Sequence, residues 1–149
     1  MQSAKEDTDM VQLIVGEKGK GKTKILLDRV NETVSNAKGN VQFVDKDLSH
    51  IYELKNKIRL VNASDYNITN ADEFVGFVSG IISADHDLEE LFIDRFLKVS
   101  FLDNISNSSD FLRKLDTISS KFNVKVTISL SGSEKELPDD LKEKVSVAL

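Results

Sequence analysis

At 149 residues, with 40% apolar and 30% charged side chains, the chain is long enough for one hydrophobic core, too short for two ordinary domains, and too apolar to be disordered. A net charge of −5 argues against a broad nucleic-acid or anionic-membrane surface, and the absence of cysteine excludes disulfides, cysteine zinc sites and thiol redox chemistry. No apolar run approaches the roughly 20 residues of a membrane span and no hydrophobic signal core opens the chain, so a cytoplasmic protein without a membrane partner is expected.

Residues 1–9 are polar and aperiodic and read as a disordered extension or an expression remnant, which leaves 10–149 as a single domain. Val11 to Val15 is a short apolar strand. Gly16-Glu17-Lys18-Gly19-Lys20-Gly21-Lys22-Thr23 follows, a full match to G-x-x-x-x-G-K-[ST], the P-loop or Walker A motif. Its glycines let the backbone curl so that successive N–H groups face an anion, and the next helix adds its positive end. The loop, with Lys24 behind it, is therefore expected to bind a nucleoside triphosphate, with Lys22 on the β and γ phosphates and Thr23 on Mg²⁺. The absence of an N-K-x-D guanine motif favours ATP over GTP.

Ile25, Leu26, Val30, Val34 and Ala37 recur at helical spacing, and Gly39 is expected to end that helix in a left-handed conformation. Val41 to Val44 is a second strand, Leu48 to Lys55 a short helix that Asp47 would cap, and Ile58 to Val61 a third strand. Thr69 to Asp72 resembles a capping box before an amphipathic helix carrying Phe74, Phe77, Val78 and Ile81. Leu91-Phe92-Ile93-Asp94 is a fourth strand ending in a carboxylate. A helix opening at Ser108 or Ser109 would bury Phe111, Leu115, Ile118 and Phe122, and Val124 to Leu130 is a fifth strand. Pro138 fits the first turn of a last helix with Leu141 and Val145 inward. Strand and helix alternate throughout, which predicts a three-layer α/β sandwich around a mostly parallel five-stranded sheet.

The fifth strand fits less well. Lys125, Thr127 and Ser129 alternate with Val124, Val126, Ile128 and Leu130, whereas a central parallel strand is ordinarily apolar on both faces. Either this strand lies near an edge, or its polar face meets a thin helix layer.

An apolar strand ending in Asp, about 70 residues after a Walker A loop, reads as a Walker B strand. Magnesium is a hard cation that keeps its waters, and a carboxylate at a strand's C-terminal end can hold one beside the phosphates. Asp94 is thus expected to be the magnesium carboxylate. The order of these strings, with F-V-D-K-D at 43 to 47 and I-R-L-V-N-A-S at 58 to 64, resembles the RecA-like branch of P-loop ATPases and small single-domain ATP-binding proteins of Gram-positive bacteria. That resemblance implies the strand order 3-2-4-5-1. It also implies that Asp47, matching the last acidic residue of the family's F-[IV]-D-x-[ED] string, orients the attacking water. The plainer reading of Asp47 is a helix cap, and Asp45 is a second candidate base.

Many related ATPases place a glutamate directly after the Walker B aspartate, where this chain has Arg95. Ser129 or Ser131, at the end of the fifth strand, could sense the γ-phosphate, although a hydroxyl at a strand end is more often simply solvated. None of Arg29, Arg59, Arg95 and Arg113 can be assigned as an arginine finger, so a slow Mg-ATPase activated by self-association or by a partner that supplies an arginine is the first expectation. A nucleotide-dependent interaction module with little hydrolysis is the alternative. A small-molecule or nucleoside kinase is disfavoured, because the only lid candidate, Lys98 to Ser109, holds no arginine. His50 and His86 are expected to be isolated surface residues.

Overall fold

A computed structural model describes residues 10–149, and the extension expected over 1–9 lies outside them. Among the described residues there are six strands: β1 (Val11–Gly16), β2 (Asn40–Asp45), β3 (Ile58–Asn62), β4 (Leu88–Ile93), β5 (Lys125–Ser131) and β6 (Val145–Ala148). They form one sheet in the order β3-β2-β4-β5-β1-β6, and all five pairings are parallel. The expected order of the first five strands is present, with a sixth strand beyond β1. Val145 lies in that strand, not on the inward face of a last helix, because alternating half-buried Val145 and Val147 suit the pleat and β1 offered an open edge. The helix at Pro138 shrinks to four residues, α5 (Asp139–Lys142) in the numbering below, with Leu141 buried.

The sheet is covered on both faces, as a parallel sheet must be. On one face, α2 (Ala71–Ala84), α3 (Phe96–Val99) and α4 (Ser109–Phe122) bury Phe74, Val78, Phe96, Leu112 and Leu115 against Val126, Ile128 and Leu130 of β5. On the other, α1 (Lys22–Asn36) places Leu26, Leu27, Val30 and Val34 against Ile14, Phe43 and Phe92. This second layer is thin, and it resolves the polar face of β5. The strand is central, between β4 and β1, and Thr127 lines a cleft of about 350 Å³ beside Arg29 and Thr33 of α1.

Other differences are local. Gly39 is not left-handed: the helix ends on extended Ala37, and glycine is required because a Cβ at 39 would sit 2.1 Å from the Asp87 carbonyl oxygen. The capping box before α2 is shifted by one residue. Asn70 accepts from the Glu73 N–H at 2.9 Å, and Glu73 reaches back to the Thr69 N–H at 2.7 Å. The buried stripe of α4 is Leu112, Leu115 and Ser119, with Phe111 and Ile118 at its margin and Phe122 exposed. The helix expected from Leu48 is reduced to one 3₁₀ turn, Ile51–Glu53, so Asp47 caps only the turn ahead of it by accepting from the Ser49 N–H at 3.0 Å. No helix among the described residues is long and apolar enough to cross a membrane.

Candidate functional site

In a parallel α/β sheet every strand ends on the same side, and loops there collect side chains from distant parts of the sequence. Here the ends of β1, β2, β4 and β5 bring together the Gly16–Thr23 loop, Asp45, Asp94 and Ser129.

Gly19 (φ 86°) and Gly21 (φ 94°) are left-handed with no atom near a would-be Cβ, so glycine is needed there for conformation rather than for space. Gly21 is the N-cap of α1 and offers no side-chain acceptor. The first backbone bond of the helix runs from the Ile25 N–H to the Gly21 carbonyl at 3.2 Å, so the N–H groups of Lys22, Thr23 and Lys24 have no partner within the helix. Lys22 is buried and donates to the Glu17 carbonyl at 3.2 Å. Burial lowers its ammonium from the usual 10.5, opposed by the Asp94 and Glu17 carboxylates. Lys18, Lys20 and Lys24 are exposed, and Lys24 pairs with Asp28 at 3.4 Å on the outer surface of α1.

Asp94 is fully buried, and its N–H bonds the Val44 carbonyl at 3.0 Å, which fixes it at the end of β4. Thr23 Oγ1 donates to Asp94 Oδ2 at 3.0 Å, and Ser129 Oγ donates to Asp94 Oδ1 at 2.6 Å while accepting the Arg95 N–H at 2.8 Å. Three strings spread over more than 100 residues thus converge on one carboxylate. Ser131 lines the same cleft, of about 720 Å³, together with Lys18, Lys22, Arg95 and Lys98.

Beside this line stands a second cluster. Arg95 is left-handed (φ 52°), and its guanidinium bonds Asp45 Oδ1 through Nε (3.1 Å) and Nη2 (2.7 Å) and Asp47 Oδ1 through Nη2 (3.3 Å). Its Nε lies 3.9 Å from Asp94 Oδ2. Asp45 is fully buried, its Oδ2 has no hydrogen-bond partner, and burial raises its carboxyl above the usual 3.8 against the hydrogen bonds from Arg95 and the Lys46 N–H. Asp47 is half exposed and is held at about 2, first by Ser49 and then by Arg95. Burial opposes the charge on Arg95, yet the three carboxylates hold its guanidinium above its ordinary range.

His50 is less isolated than its sequence position implies. It contacts Glu53, and one of its ring nitrogens lies within 4.8 Å of carboxylate oxygens of Asp45 and Asp94. The cation of that cluster is the Arg95 guanidinium. The hard oxygens of Thr23 and Asp94, adjacent and facing the glycine loop, are the donors suited to Mg²⁺. The lid candidate is a docked segment: Ile105 and Ser108 are buried, and a Cβ on Gly132 would meet Ile105 at 2.6 Å.

The fold is similar to that of the flagellar accessory protein FlaH from Methanocaldococcus jannaschii, with a TM-score of 0.56 at 16% identity over 89% of this chain. This chain spans 64% of the length of that structure. No protein-family model and no curated protein matches the sequence. The all-parallel sheet and its strand order are consistent with a RecA-like fold.

Proposed function

We propose that the protein binds Mg-ATP at the Gly16–Thr23 loop and, as an isolated chain, hydrolyses it slowly. The observation that carries this reading is the meeting of the Thr23 and Ser129 hydroxyls on the two oxygens of Asp94, beneath the unpaired N-terminus of α1. The N–H groups of the loop and first helical turn take the phosphates, and Lys22 leaves the Glu17 carbonyl for the β and γ oxygens. The Thr23 hydroxyl and Asp94 would hold Mg²⁺, which would neutralise phosphate charge when bound.

Slow turnover follows from the carboxylates. Asp47, the candidate for ordering the attacking water, is a weak base at about 2, and Asp45 is already engaged by Arg95. Faster hydrolysis requires a second copy or a partner that frees Asp47 or supplies a further arginine. Arg95, standing where a glutamate would follow the Walker B aspartate, equally favours the interaction-module reading, in which nucleotide binding alone alters the loops at the strand ends.

Calorimetric titration of the folded protein with ATP in Mg²⁺, paired with a phosphate-release assay, tests the proposal. Saturable binding is expected, weakened about ten- to hundredfold in Lys22→Ala by loss of a charge-assisted contact. A wild-type protein that is folded but gives no saturable binding would refute it.

A further inference from the structure

The pairing of buried Asp45 with half-buried Arg95 is not explained by stability. A desolvated ion pair contributes little over apolar side chains of similar size, whereas one buried partner without the other is strongly destabilising. What the pair does achieve is orientation. Asp45 holds the guanidinium by Nε and Nη2, with contacts at 3.1 and 2.7 Å, and is itself fixed by the Lys46 N–H at 2.7 Å. The left-handed backbone at Arg95, a conformation that a non-glycine residue adopts at some cost, starts the side chain from the end of β4 toward β2.

The guanidinium is not used up by these contacts. Among the described residues, Nε and Nη2 make its hydrogen bonds and Nη1 makes none. Arg95 lines the same cleft as Lys18, Gly19, Lys22, Thr23 and Ser131, and its side chain is 28% exposed. Its Nε is 3.9 Å from the same Asp94 oxygen that accepts from the Thr23 hydroxyl at 3.0 Å, so the guanidinium and that hydroxyl flank one carboxylate.

We propose that Arg95, oriented by Asp45, distinguishes a nucleoside triphosphate from a diphosphate, with its unpaired Nη1 donating to the terminal phosphate. The inference rests on the Mg-ATP reading. A diphosphate is held by the glycine loop and Lys22, and only a third phosphate extends beyond them to the strand ends where Arg95 waits. Asp45 is the positioning residue. The Asp47 contact, at 3.3 Å, is made by Nη2 and leaves Nη1 available to a phosphate oxygen.

The test is the ratio of Mg-ATP to Mg-ADP affinity, measured by calorimetry on the full chain. Arg95→Ala is expected to weaken Mg-ATP about ten- to hundredfold and leave Mg-ADP within about twofold. Arg95→Lys keeps a charge beside Asp45 but lacks the planar fork, so it should fold and lose part of the discrimination. It decides the question if Arg95→Ala does not fold. Asp45→Asn should shift the ratio in the same direction, which a merely structural role would not do. An unchanged ratio in both Arg95 variants, or equal weakening of both nucleotides, overturns the inference while the Mg-ATP reading stands. A wild-type protein that binds neither nucleotide overturns both.

Discussion

Asp47 shows how a side chain's neighbours decide what it can do. Its carboxyl is held at about 2 against an ordinary 3.8, so the folded protein gives up that proton more readily than the unfolded chain does. The stability it contributes is fully present above 3.8 and is lost as pH falls toward about 2. Asp47→Asn should therefore lower stability modestly at neutral pH and leave it nearly unchanged near pH 2, flattening the acid limb of stability against pH, as read from urea midpoints at a series of pH values. An unaltered acid limb would show that Ser49 and Arg95 do not stabilise the charged form. That Asp94, Lys22 and Thr23 come together was legible because each belongs to a contiguous string with its own spacing. The placement of the Arg95 side chain was not. It depends on a left-handed backbone and on β2 lying beside β4, and neither is written in the residues around position 95.

Among the elements, the strands were read best, because β1, β2 and β4 are short apolar runs that only a sheet buried on two faces accommodates. α4 was placed correctly but turned by about one residue. Phe111 and Phe122 share the helical spacing of a buried stripe, but the sheet takes the smaller Leu112 and Ser119, whose hydroxyl bonds the Val124 carbonyl at the helix end. Leu112→Ala should cost about 2–5 kcal/mol in urea unfolding, and Phe122→Ala well under half as much, since only the former removes a fully buried side chain. Equal losses would contradict this orientation. β6 was missed because four alternating residues after a proline carry too little periodicity to separate strand from helix, and the open edge of β1 decides the matter.

At the scale of the whole molecule, the sheet contains no hairpin. Each of the five pairings is parallel, so each must wait for a crossover, and β1 has the longest wait. Its neighbours are β5 and β6, and Val11 pairs with Val126 more than 100 residues away. Non-local pairing of this kind is slow, of order milliseconds to seconds. The strand that carries the glycine loop is thus among the earliest in the chain and among the last to be fixed in place. In stopped-flow refolding, capture of a fluorescent ATP analogue should accompany the slowest phase and follow the early gain of helical signal. The protein would then acquire its affinity in a single late step, with no partly folded species able to hold nucleotide.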